Sequence, residues 1–205
     1  MPPKGERRKL QIIETAKEMF IQNGFQSTHI GQVCEKLNIA RGTVYQYFSN
    51  KKEILYAILD SVIDDIEDIF DQDDMKEYFK SSPDPKAMVK FINNRISKCI
   101  SVLVNEPIVI RLIFRDISGI DTEVVDRVNL SVMSIVKIIA KEVAEIKNLG
   151  VFKNNVDPDI TASMIVGGVM MIVYEYDKKN LNVLDGSVVD SIANNYLNGV
   201  LKQSN

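Results

Sequence analysis

Apolar side chains recur along this chain at intervals of three and four residues, the spacing that lines one face of an α-helix. No stretch alternates as a half-buried strand would. Ile13, Ala16, Met19 and Phe20 mark a first helix, expected to stop at Asn23-Gly24, where glycine supplies the left-handed residue past a helix end. Ile30, Val33, Cys34 and Leu37 follow in a short second helix, with Ser27 and Thr28 as cap candidates. Only Asn38 and Ile39 separate it from a third segment, 40–47. After Phe48-Ser49-Asn50 a fourth helix carries Leu55, Ile58, Leu59, Val62, Ile66, Ile69 and Phe70 on one line. Asn50 with Glu53 reads as a capping box, and Phe48 is placed to staple its entry.

Further on, Ser81-Ser82-Pro83-Asp84-Pro85 breaks the chain ahead of a helix over 86–104. Pro107 starts another to about Ser118, since proline suits a first helical turn. Thr122 to Asn148 forms a long helix closed by Gly150; Asp157-Pro158 opens one to Lys179, and Ser187 to Lys202 forms the last. The pattern predicts an all-α chain of about nine helices, divided into a small N-terminal domain, 1–56, and a larger one, 57–205. The acidic run Asp60 to Asp74 reads as the solvated face of the fourth helix plus its exit loop.

Composition narrows the function. With 205 residues, 45% of them hydrophobic and 26% charged, the chain can bury a real core. Cys34 and Cys99 make no disulfide framework, and one histidine, His29, cannot furnish a zinc cluster or the Glu-x-x-His pairs of a di-iron bundle. No Ser-His-Asp set or phosphate loop is visible. We therefore expect no catalytic residue, no metal and no cofactor; a helical enzyme is the alternative these counts disfavour. The N-terminal Arg7-Arg8 charges lack an apolar stretch behind them, so the chain is expected to be cytoplasmic and reduced. Residues 1–56 hold nine basic against five acidic side chains, whereas the remainder is net acidic. A basic head on an acidic body suggests a polyanionic partner for the first quarter.

The second and third helices, joined by a tight turn, make a helix-turn-helix whose second member would enter a DNA major groove. Arg41 and Thr43 open that helix, and arginine is matched to the guanine edge. Gly42 removes a side chain where a backbone must come close. Tyr45 and Tyr47 offer hydroxyls to phosphate oxygens, although Tyr45 shares a face with Val44 and Phe48 and is alternatively part of the core. Lys51 lies in the first turn of the fourth helix, where a cation opposes the helix dipole, and a bound phosphate is the simplest reason for it. His29 is read either as an exposed or capping residue or as a phosphate or base contact. Arg7, Arg8 and Lys9 are a frayed end or a basic arm.

The run from Gly24-Phe25 through Thr28, Gly42-Thr43, Tyr45 and Phe48 to Lys51 resembles the N-terminal domain of TetR-family (tetracycline-repressor-like) transcriptional regulators over about residues 8–58. The resemblance implies a homodimeric, all-helical repressor: a three-helix DNA-binding domain, then a helical ligand-binding and dimerisation domain. Its expected DNA contacts are Thr28, His29, Arg41, Gly42, Thr43, Tyr45, Tyr47 and Lys51. Cys34 stands where the family usually has alanine and should pack equally well, without acting as a redox switch.

The segment Ile160 to Tyr174 is apolar on nearly all sides, too short at fifteen residues to span a bilayer, and followed by Glu175, Asp177, Lys178 and Lys179. It is expected to be buried on nearly all sides and, with the last helix, to pair with its symmetry mate through Ser163, Gly167, Gly168, Met171, Ile192 and Tyr196. Such an interface holds two recognition helices one DNA turn apart. Helices over 86–148 would enclose a cavity for a small, mostly apolar inducer, lined by Phe91, Arg95, Cys99, Arg111, Phe114, Met133, Met164 and Tyr174. Arg95 and Arg111 each lie in an apolar helix and need a carboxylate, water or an anionic ligand. The expected function is a ligand-responsive repressor on a palindromic operator, released by the inducer; an activator on the same fold is the alternative. No membrane partner is expected.

Overall fold

Short-range capping sets several of the helix ends in this chain. The computed structural model describes residues 3–71, 85–114 and 121–200. These hold α1 (Lys4–Asn23), α2 (Ile30–Leu37), α3 (Arg41–Tyr45), α4 (Lys51–Asp71), α5 (Pro85–Asn105), α6 (Pro107–Phe114), α7 (Thr122–Asn148), α8 (Pro158–Lys179) and α9 (Gly186–Val200). The fold is all-α, as the periodicity predicts. Positions 72–84, 115–120 and 201–205, on which parts of the expected acidic run, proline break and helix ends fall, lie outside the described residues.

Gly24 ends α1 at φ +83, a backbone that other residues adopt at a cost, and its N–H returns to the Phe20 carbonyl. Asn50 Oδ1 accepts from the Lys52 and Glu53 N–H groups, while Glu53 reaches back to Ser49, one residue earlier than a standard capping box. Asp157 accepts from Ile160 N–H at the head of α8, whose first helical residue is Pro158. Three expectations shift by small amounts. The buried face of α1 centres on Ile12 rather than Ile13, α2 is capped at His29 rather than at Ser27 or Thr28, and α3 covers 41–45 rather than 40–47.

The chain forms two compact units. Residues 1–62 with 107–131 make the first; residues 63–106 with 132–205 make the second. In the first unit, α1 packs on α2 and α6, and α2 on α3. Its core includes Ile12, Ala16, Phe20, Phe25, Val33, Val44, Phe48, Ile54 and Leu55. Cys34 is buried among these apolar residues, as an alanine substitute should be.

In the second unit, α5 packs against both α8 and α9. Here burial departs from expectation. Thr161, Ala162, Val166, Val169, Met170 and Val173 of α8 are buried, but Ile160, Ser163, Met164, Gly167, Gly168 and Met171 are exposed. One face packs within the chain, and the residues of the other are exposed among the described residues. At 22 residues, α8 is also long and apolar enough to cross a membrane, so the argument from a fifteen-residue length does not hold. Its packing against α5 is what makes it a core helix.

Candidate nucleic-acid interface and apolar cavity

The turn ahead of the helix-turn-helix is held by two residues expected on its surface, one buried and one at the edge of an open groove. Thr28 is 1% exposed, and its hydroxyl donates to the carbonyls of Gly24 at 2.9 Å and Met19 at 3.2 Å. Its side chain braces the α1–α2 turn and is turned away from any phosphate. The Lys51 ammonium donates to the carbonyls of Phe25, Gln26 and Thr28 at 2.8, 2.8 and 3.1 Å and lies 4.7 Å from the centroid of the Phe25 ring. Burial lowers its pKa from the ordinary lysine value. These carbonyls give one reason for a cation in the first turn of α4: loop acceptors outside any helix require donors. Thr28 is corrected from a direct contact to a support; Lys51 braces the loop and also lines the groove described next.

The remaining candidates stay on the outside. Arg41, Gly42 and Tyr45 are exposed, Tyr45 by 53%, and Thr43 is half-buried; Val44 and Phe48 fill the core instead. The shared face therefore splits, and Tyr45 takes the outer side. A groove of about 630 Å³ runs past His29, Gln32, Glu35, Arg41, Tyr45, Asn50 and Lys51. His29 is both the exposed residue and the cap position that its plainer reading described; its backbone N–H donates to Gln32 Oε1. A Cβ on Gly31 would stand 3.0 Å from the Arg41 guanidinium, so the bare helix surface at Gly31 lets Arg41 lie across α2. Tyr47 is half-buried, its hydroxyl beside Gly5 at the start of α1 and away from the groove. Arg7 and Lys9 are exposed on the first turns of α1, which forms from Lys4 instead of fraying there.

Charged contacts brace α4 within the same unit. Lys52 Nζ meets Asp121 Oδ2 and Glu123 Oε2, each at 2.6 Å, and Arg127 pairs with Asp60. Hydrogen bonds to Asp121 and Glu123 raise the Lys52 pKa, and the Lys52 ammonium lowers that of Asp121. Arg111 donates to the Ile21 carbonyl of α1 at 3.0 Å. Arg111 and Phe114 thus belong to the first unit and do not line a cavity in the second, because α6 packs on α1.

The second unit holds an apolar cavity of about 90 Å³. Two predicted lining residues, Arg95 and Cys99, reach it. Phe91 is buried with its ring 4.5 Å from the Arg95 guanidinium, behind the wall. Met133 and Met164, 53% and 73% exposed, face outward, and Tyr174 is absent from the lining. Tyr196, expected at an interface, lines the cavity and also a groove of about 1010 Å³ that includes Met164, Gly168 and Ile192. Burial raises the Tyr196 pKa above its usual value, with Glu142 adding to the rise. The carboxylate that Arg95 requires is Glu142, at 3.0 Å. Sequence reasoning missed Gln32, Glu35 and Asn50 in the groove, and Glu142 and Phe152 in the cavity. Only Glu142 had a signal, the need of a buried arginine for an acid.

Residues 12–58 match the family described as "Bacterial regulatory proteins, tetR family". HbdR, an HTH-type transcriptional regulator of Aromatoleum sp. (strain CIB), is 37% identical over 62 residues, 30% of this chain and 27% of that protein. The match spans about a quarter of the length of such curated relatives. Nearly the whole chain aligns with FadR of Bacillus subtilis in complex with stearoyl-CoA, at TM-score 0.72 and 21% identity, covering 93% of this chain and 98% of that one. The SmeT–triclosan complex, from the SmeT repressor of Stenotrophomonas maltophilia, aligns at TM-score 0.74 and 15% identity, covering 97% and 93%. These structural likenesses establish a shared fold.

Proposed function

We propose that the chain, whose residues 12–58 match the tetR family of bacterial regulatory proteins, is a ligand-responsive repressor of that non-enzymatic, helix-turn-helix family. It binds a palindromic operator as a homodimer and is released by a small, mostly apolar inducer. Residues 1–56 serve DNA, and residues 57–205 serve ligand and dimer. The observation that carries this reading is the exposed groove along α2 and α3, where Arg41 and Tyr45 stand clear of the core. Arginine there can meet a guanine edge, and the tyrosine hydroxyl a phosphate.

Two further features support it. The exposed stripe Ile160, Ser163, Met164, Gly167, Gly168 and Met171 on α8 follows helical spacing, and its glycines leave open space for a second helix. Dimerisation through it would set two recognition helices one DNA turn apart. The apolar cavity supports a small hydrophobic ligand; FadR of Bacillus subtilis is solved with stearoyl-CoA and SmeT with triclosan. Ligand that favours one head spacing over another shifts operator affinity by that difference.

Fluorescence anisotropy with a labelled duplex from the upstream region of the chain's own gene, alongside sedimentation to count chains, tests this reading. Two chains on one site, with tighter binding than to a shuffled duplex, are expected. Equal affinity for both duplexes would overturn it.

A further inference from the structure

Among the described residues, the cavity wall in the second unit carries one arginine and one carboxylate, and they are paired with each other. Arg95 Nη1 stands 3.0 Å from Glu142 Oε1, and both side chains are almost sealed from solvent. The flat faces of the guanidinium meet rings as well: its central carbon lies 4.5 Å from the Phe91 centroid and 4.8 Å from that of Phe70. Charge on Arg95 is therefore balanced inside the protein. Around the pair the wall is largely aliphatic, including Ile92, Ile135, Ile139, Ile146 and Val169, with the rings of Phe70, Phe152 and Tyr196. Cys99 also lines it, with a thiol that burial pushes up to about 12, so it is neutral in the physiological range.

We infer that the effector is an uncharged apolar molecule, and that Glu142 determines this by occupying the arginine that an anionic ligand would need. The inference rests on the ligand-responsive reading above and deepens it. A carboxylate entering this cavity has two courses. It can displace Glu142 and leave that acid buried without its partner, or it can settle beside the pair as a second negative charge. Either course strands a charge in a low-dielectric interior. A neutral hydrocarbon replaces void with dispersion contacts and leaves the pair intact. The volume of about 90 Å³ is below the roughly 150 Å³ of an apolar cavity that holds benzene, so the walls must part around larger molecules.

Isothermal titration calorimetry on the full chain, with hexanol and octanol set against hexanoate and octanoate, tests this. The wild type should bind each alcohol at least about tenfold more tightly than the carboxylate of equal length. In Glu142→Gln the preference should reverse, and octanoate should raise that variant's melting temperature by supplying the missing acid. Should Glu142→Gln fail to fold, the double variant Arg95→Met with Glu142→Leu removes both charges together. It should keep alcohol binding and still refuse carboxylates. Octanoate binding to wild type as tightly as octanol, an unchanged preference in folded Glu142→Gln, or carboxylate binding by the double variant would each overturn the inference while ligand binding itself stood. Binding of neither class would bring down the ligand-responsive reading together with it.

Discussion

Replacing Lys51 with methionine separates a brace from a phosphate contact. The substitution keeps most of the stem but removes an ammonium that donates to three carbonyls at 2.8, 2.8 and 3.1 Å. A hydrogen bond to a charged group contributes about 1.5–3 kcal/mol, and the three here do not add in full, because water reaches the half-buried carbonyls once the ammonium is gone. A loss of about 2 kcal/mol is therefore expected, equivalent to a fall of roughly 4–8 °C in Tm for a chain of this size. Each phosphate contact steepens the dependence of log K on log salt by about 0.9. As a brace, Lys51 contributes nothing to that slope. Thermal melting and operator anisotropy at several salt concentrations measure the two quantities separately. A destabilised Lys51→Met protein with an unchanged salt slope is the expected result. Unchanged stability with a slope reduced by about 0.9 would refute the reasoning.

Thr28→Val keeps the shape and removes the hydroxyl from two carbonyls at a position 1% exposed; urea unfolding should show a loss of about 1–3 kcal/mol. Arg41→Ala should cost about 1–3 kcal/mol on the operator with little change on random duplex, measured by competition anisotropy. Gly31→Ala should stabilise α2 in melting experiments, since alanine is the better helix former, yet alter base preference by displacing the Arg41 guanidinium. Asp121 has its pKa lowered by Lys52, so its contribution to stability is present above the ordinary value of 3.8 and lost as pH falls through the lower folded value. Asp121→Asn should flatten the acid limb of a urea-midpoint titration.

Helix ends were legible because their causes lie within a few residues. Asp157-Pro158, Asn50 with Glu53, and Gly150 act through neighbouring N–H groups or their own backbone, and α7 and α8 begin and end where these signals place them. The exposure of Tyr45 beside buried Val44 was only half legible, since helical spacing alone left both sides open. The burial of Thr28 and the bracing bonds of Lys51 have a tertiary cause that spacing does not show: the loop between α1 and α2 folds back and offers its carbonyls to them. Arg95 announced its need for an acid, but which acid depends on how α5 and α7 meet. Arg111 and Phe114 resemble cavity residues by composition, and only the packing of α6 on α1 removes them. Met133 and Met164 are apolar on helices with two plausible inner faces, a choice that periodicity does not make.

The surface along α2 and α3 as a reader of DNA is the claim on which the rest depends. Competition anisotropy on a duplex from the gene's own upstream region, comparing wild type with Arg41→Ala, tests it most directly. The account predicts that wild type prefers that duplex to its shuffled counterpart and that Arg41→Ala loses most of the preference while retaining its salt-dependent, sequence-independent binding. A preference that survives intact in Arg41→Ala, or wild type that does not distinguish the two duplexes, would contradict it.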